Sequence, residues 1–142
     1  MAVTLTLFSP EEANSLLSFL EPRLSLLIAR KRELDQAQHE LEIMRLFQQT
    51  GATSANPDLA ALEVRERRAK DLGEEIAEAV AAIHAKGCVV KDLDQGLVDF
   101  YSLKGDRIVF LCWQRGERRV AHWHSLAGGF AARKPIQQPK NG

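Results

Sequence analysis

Apolar side chains recur at helical spacing through the first part of the chain. A heptad-like stripe consists of Leu17, Leu20, Leu24, Leu27, Leu34 and Leu41. A second stripe consists of Leu62, Ala69, Leu72, Ile76, Ala79 and Ile83. The small, polar segment 51–57 separates them, and Gly87 provides a helix stop. The pattern therefore predicts a long antiparallel helical hairpin over residues 9–87.

Local signals at the N-terminus refine this prediction. Ser9, Pro10 and Glu12 form a capping-box sequence that starts the first helix. Pro22 falls inside the helical pattern, so we expect it to bend the helix or to separate a short first helix. Before the cap, the alternating apolar and polar residues 3–8 predict a short strand.

From Cys88 onward the apolar period changes from helical to alternating. Short apolar runs separated by glycine-containing turns predict an antiparallel meander over residues 88–124. The proline-containing segment from Arg133 is expected to be disordered or to lie over the surface. The fold class is therefore α+β: a helical hairpin packed with a small sheet, as one domain over residues 1–136 with a flexible tail at 137–142.

The composition is that of an ordinary globular protein, with 142 residues, 45% hydrophobic and 27% charged. No apolar run is long enough to span a bilayer, and the first residues lack a signal-peptide pattern. We therefore expect a cytosolic protein without a membrane partner. In that compartment the two cysteines are expected to remain free thiols.

The formal net charge of zero hides an asymmetry between the two halves. Residues 1–87 carry 14 acids and 10 bases, whereas residues 88–142 carry 5 acids and 9 bases. A basic set in the second half could hold an anion or a nucleic-acid backbone: Arg115, Arg118, Arg119, Arg133 and Lys134, beside Trp113 and Trp123. The overall neutrality argues against nucleic acid, and we favour a solvated end of the β-hairpin or a contact with the acidic helices of a partner.

A first candidate for a divalent metal ion is formed by His122, His124 and Cys112. The two histidines point to one face of a strand, and a thiolate could add a third ligand. The register decides whether they meet. A two-residue turn at Arg115-Gly116 puts Cys112 on the opposite face, whereas a three-residue turn with a bulge brings it to the histidine face.

Asp99 is the second candidate, because it interrupts the apolar run Leu97-Val98-Asp99-Phe100. A carboxylate at such a position needs a partner if it is buried. The sequence leaves two interpretations open, a structural ion pair and an acid that faces a ligand. Packing and hydrogen bonding without a metal remains the simpler explanation of the cysteine and histidines.

The amino-acid sequence of the C-terminal half resembles that of a known bacterial family. Residues 90–100 read VKDLDQGLVDF, followed by LCW at 111–113, WH at 123–124 and GFAARKPI at 129–136. Together with FSPEEANSLL at 8–17, this resembles the uncharacterised family called domain of unknown function 2203. The resemblance implies no activity. Its matched polar positions suggest a pocket formed by Asp99, Cys112, Glu117, His124 and Arg133, or equally a hydrogen-bond network that fixes the sheet.

Two long helices bury only one seam against each other, so the outer apolar residues call for further cover: Leu16, Ile28, Ile43, Met44 and Phe47. A second copy of the chain is the simplest source of cover. The leading functional hypothesis is therefore a non-enzymatic interaction module that forms a homodimer through its long helices. The alternative is a metal-binding or anion-binding enzyme that holds a small anionic ligand in the polar pocket, and a weak nucleic-acid binder ranks third.

Overall fold

The computed structural model describes residues 5–49 and 59–137. Three helices come first: α1 at Pro10–Ser15, α2 at Leu17–Gln49 and α3 at Leu59–His84. Five strands follow: β1 at Cys88–Asp92, β2 at Leu97–Lys104, β3 at Arg107–Gln114, β4 at His122–Ser125 and β5 at Lys134–Pro135. The α+β prediction is confirmed. The predicted link at 51–57 and most of the predicted tail at 137–142 lie outside the described residues.

The first helix starts as its sequence predicts. The Ser9 hydroxyl accepts from the Glu12 backbone N–H, and the Glu12 carboxylate accepts from the Ser9 N–H, which completes the capping box. The helix is interrupted at Leu16, which separates α1 from α2, while Pro22 lies inside α2. A short first helix is therefore present, and it ends at Ser15, seven residues before the proline.

Helices α2 and α3 pack as the predicted hairpin. Leu20, Leu24, Leu27 and Ile83 belong to the core shared with the sheet, and Leu72 of α3 is also buried. Ion pairs on the outside of the hairpin join Arg30 to Glu75 and Glu33 to Arg68, at 2.9 and 2.8 Å. From the first ion pair to the second, the residue number rises along α2 and falls along α3, as an antiparallel hairpin requires. No helix in the described part of the chain is long and apolar enough to cross a membrane.

The five strands form one antiparallel sheet in the order β1-β2-β3-β4-β5. The meander prediction is correct, but the segment from Arg133 is not a loose surface tail. Lys134 pairs with Trp123 as part of β5, and the Ile136 N–H donates to the Ala121 carbonyl at 2.8 Å. The fifth strand ties the end of the described chain to β4.

The two faces of the sheet have different partners. The core face packs on the helices and carries Val98, Phe100, Leu111 and Trp113, all almost fully buried. The opposite face, here called the outer face, carries the alternate residues of the same strands. The segment between β4 and β5 contributes residues 128–130 to a cavity on that face.

The predicted strand at residues 3–8 is wrong for the residues that the structure describes. Residues 5–9 have no regular secondary structure. Phe8 contacts β2 by one backbone hydrogen bond, from its N–H to the Tyr101 carbonyl at 2.7 Å, and its own carbonyl accepts from the buried Ser102 hydroxyl. The Phe8 ring packs edge-on against Phe100. This segment is therefore held to the sheet by one buried side chain and not by a ladder of backbone hydrogen bonds.

The N-terminal segment also approaches Gly87, which has a φ of +98°. A Cβ at Gly87 would lie 2.6 Å from the Thr6 Cβ, whereas a Cβ at Gly116, with a φ of +104°, would meet nothing within 4 Å. We expect Gly116→Ala to lower the free energy of unfolding by about 1 kcal/mol, from the backbone conformation alone. Gly87→Ala should lower it by about 2–3 kcal/mol, because the collision adds to that cost. Urea unfolding of both variants measures the difference, and equal losses would contradict the docking of Thr6 on Gly87.

Candidate metal centre

Three adjacent strands bring three potential metal ligands together on the outer face. Asp99 lies on β2, Cys112 on β3 and His124 on β4. All three are buried, and their ligand atoms lie within 4.8 Å of one another. We call these residues the buried triad. Among residues 5–49 and 59–137, they are the group of histidine, cysteine and acidic side chains that could hold a metal ion.

The strand register explains why the triad forms. Asp99 pairs with Cys112, and Cys112 pairs with His122. Directly paired residues share a face of the sheet, and so do residues two apart on one strand. Arg115 and Gly116 do form a turn, in which the Glu117 N–H donates to the Gln114 carbonyl at 2.9 Å. This turn does not join the strands directly, as both predicted registers required, because β3 ends at Gln114 and β4 begins only at His122. The longer connection nevertheless brings Cys112 to the histidine face.

His124 is held at both ring nitrogens. Nδ1 lies 2.8 Å from the Ser125 carbonyl oxygen, which can only accept, so Nδ1 carries the hydrogen. Nε2 lies 3.0 Å from Oδ2 of Asp99, and one further proton must lie between these two atoms. The pair is therefore an imidazolium with a carboxylate, or an imidazole with a carboxylic acid. Both forms have zero net charge, which suits a site where the two side chains are only 4% and 3% exposed.

Burial is the main influence on the pKa values of Asp99 and Cys112. It raises the pKa of the Asp99 carboxyl, although the charges of His124 and Lys91 oppose the rise. Burial and the neighbouring Asp99 carboxylate raise the pKa of the Cys112 thiol to about 11, against the effect of Arg133. Cys112 is therefore a protonated thiol at neutral pH in the absence of a cation, which distinguishes it from a free thiolate nucleophile.

A cavity of about 110 Å³ opens beside the triad. Its walls are Lys91, Leu97, Gly128, Gly129 and Phe130, together with the three triad residues. Liquid water occupies roughly 30 Å³ per molecule, so the cavity has room for several small heavy-atom groups. The triad is thus buried, but it lines a cavity that a small ligand could enter.

Glu117 and Arg133 form a second group of polar residues next to the triad. The Arg133 guanidinium donates to both carboxylate oxygens of Glu117, at 3.0 and 2.9 Å, and it also hydrogen-bonds the Cys112 sulfur. Burial tends to raise the pKa of Glu117, but the hydrogen bonds from Arg133 and from the Gln114 N–H outweigh it and lower the pKa. All five residues of the predicted pocket therefore form one connected network.

His122 and the other basic residues lie outside the triad. The Nδ1 atom of His122 is 3.7 Å from Oε2 of Glu117, so this ring faces the carboxylate rather than Asp99. The metal set predicted from the sequence keeps Cys112 and His124, but Asp99 takes the third place. The predicted basic patch is also divided, because Arg115 contacts Ser25 and Glu21 on α2.

Sequence reasoning missed the walls of the cavity. Lys91 lies in the VKDLDQGLVDF segment quoted above, and Gly128 directly precedes the GFAARKPI segment, but neither has a pattern typical of a binding site. In the structure the Gly128 N–H donates to the Ser125 hydroxyl at 3.0 Å, and a 3₁₀ turn at Phe130–Ala132 follows. An unassigned glycine pair beside a histidine strand was the signal available for this wall.

Comparison with known proteins gives a family without an assigned activity. The model of the family DUF2203, described as an uncharacterized conserved protein, matches residues 6–136. No curated protein matches the chain. No solved structure matches it either.

Replacing His124 by Leu should leave the Asp99 carboxylate buried without its partner. We expect a loss of about 3 kcal/mol in the free energy of unfolding at pH 7. The pKa of Asp99 is already raised by burial, and removing His124 raises it further. The native state then favours the protonated acid, so the loss should shrink as the pH falls towards 4.

Urea unfolding at pH 4 and pH 7 measures this pH dependence. The double variant D99L/H124L is the control, because it removes both groups. Its loss of stability relative to the wild type should be similar at the two pH values. A loss in His124→Leu that is the same at both pH values would contradict the buried pairing.

Proposed function

The chain belongs to the DUF2203 family, and we propose that it binds one divalent transition-metal ion through Asp99, Cys112 and His124. The observation that carries this proposal is the convergence of a carboxylate, a thiol and an imidazole within 4.8 Å. These are the three side-chain types that bind zinc in proteins. The sequence-based alternative of a metal-binding pocket on the sheet therefore becomes the leading proposal.

The surroundings of His124 support metal ligation. Histidines that bind a metal through one nitrogen usually donate the other N–H to a carbonyl or carboxylate, which fixes the ring. Here Nδ1–H donates to the Ser125 carbonyl, and this leaves Nε2 as the ligand atom. Nε2 already lies 3.0 Å from the carboxylate oxygen that would bind beside it.

Before a metal ion binds, the triad holds two protons that the ion can replace. A divalent cation replaces the proton between Asp99 and His124 and the proton on Cys112, because the ligands must be deprotonated. Arg133 hydrogen-bonds the Cys112 sulfur and favours its anionic form. Three protein ligands and an adjoining cavity are typical of zinc sites that keep a position open for water or substrate.

Metal analysis with two matched cysteine variants tests the proposal. Cys88 and Cys112 are both buried, and burial raises the pKa of each thiol to about 11. Cys88 lies in the hydrophobic core beside the helices, on the other side of the sheet. After zinc loading and gel filtration, we expect about one zinc per chain in the wild type and in Cys88→Ala, and a strong loss in Cys112→Ala.

Cys112→Ala must be shown to be folded, which far-UV circular dichroism decides. The variants Asp99→Asn and His124→Ala should lose zinc as well. Stoichiometric zinc in Cys112→Ala, or no zinc in the folded wild type, would contradict the metal proposal.

We also retain the homodimer as a second candidate function. Ile43, Leu46 and Val64 are 53%, 54% and 68% exposed, which is high for apolar side chains. They lie in the part of the hairpin where Arg45 contacts Glu66. By contrast, Ile28 is buried within its own chain, so it no longer calls for a partner. The expected cytosolic location is part of the same proposal and suits two unpaired thiols.

Sedimentation of the wild type at micromolar concentration tests the dimer. We expect a mass near twice 15.9 kDa, and we expect Leu46→Glu to produce monomers because it introduces a charge into the apolar contact. Leu103→Glu is the matched control, because Leu103 is also 54% exposed but lies on β2. A wild-type monomer would contradict dimer formation.

A further inference from the structure

We infer that the metal site binds a small monoanion with a carboxylate group as its exogenous ligand, and that the Lys91 ammonium positions this anion. The inference rests on the proposed metal function. It adds the class of ligand and a residue outside the triad. Three features of the outer face support it: the size of the cavity, the charge balance of the site and the place of Lys91.

The cavity limits the size of the ligand. Its volume of about 110 Å³ is smaller than the roughly 150 Å³ of an engineered protein cavity that holds benzene. An anion of the size of acetate fits such a space. Leu97 and Phe130 give the cavity an apolar part that suits a methyl or methylene group, while the triad provides the polar end.

The charges of the site favour a single negative charge. A divalent cation is neutralised by the carboxylate of Asp99 and the thiolate of Cys112, and His124 binds as a neutral ligand. Arg133 is already neutralised by its paired hydrogen bonds to Glu117. Lys91 then leaves a charge of +1 at the cavity, which one carboxylate balances.

Lys91 lies where it can contact the outer end of such a ligand. It lies on β1, it lines the cavity, and its charge acts on Asp99. Its ammonium lies 4.3 Å from the centre of the Phe110 ring, and this cation–π contact holds the charge over the outer face. The metal and the Lys91 ammonium would therefore each bind one oxygen of the same carboxylate.

Titration of the cobalt-loaded protein with acetate tests the inference. Cobalt(II) reports its coordination through visible absorption, so we expect acetate to change the spectrum of the loaded wild type with a saturable curve. Lys91→Met should bind cobalt as the wild type does and weaken acetate binding by about tenfold or more. Lys91→Arg should retain most of the affinity, because it keeps the positive charge.

Lys104→Met is the matched control. The Lys104 ammonium lies 4.7 Å from the centre of the Trp123 ring, away from the cavity lining. Its loss should leave acetate binding unchanged. An equal weakening in Lys91→Met and Lys104→Met would overturn the role of Lys91.

The outcomes separate the two proposals. If cobalt binds to the triad but acetate leaves the wild-type spectrum unchanged, the anion inference is wrong and the metal proposal stands. If cobalt does not bind to the wild type, the metal proposal fails first. Acetate binding to the cobalt-free protein with the same affinity would overturn the inference that the metal is its partner.

Discussion

The two-pronged ion pair between Glu117 and Arg133 is the constraint on which the site depends. Glu117 follows β3 and also receives the Gln114 N–H, while its carbonyl accepts from the Trp113 indole. Arg133 immediately precedes β5. The pair therefore fixes the start of the β3–β4 connection to the end of the segment that crosses the outer face. Other ties of this segment to the sheet are the two-residue strand β5 and the hydrogen bonds donated by the N–H groups of Gly128 and Ile136.

The elements that depend on local sequence were predictable. The helical hairpin follows from apolar spacing, the start of α1 from its capping box, and β2 and β3 from apolar runs between glycine turns. The errors lie in segments whose structure depends on distant partners. Residues 5–9 have a strand-like sequence but only one backbone bond to β2 through Phe8. Lys134 and Pro135 have a tail-like sequence but pair with β4.

The candidate site divides in the same way. Its candidate residues could be identified because Asp99 interrupts an apolar run, and because cysteine and paired histidines are common metal ligands. Their grouping could not, since the register places both Asp99 and His122 opposite Cys112, and the His122 ring then faces Glu117 instead of the triad. Lys91 was missed because a lone lysine after two valines has no distinctive pattern. Its role depends on the residues placed across the sheet.

The order of the strands has a consequence for synthesis on the ribosome. The helices and the strands that carry Asp99 and Cys112 emerge first, and the segment with Gly128, Phe130 and Arg133 emerges after all of them. A nascent chain can therefore bury its core face before its outer face is covered. The cover over the Cys112 thiol is therefore the last part of the site to be synthesised, after β2, β3 and β4.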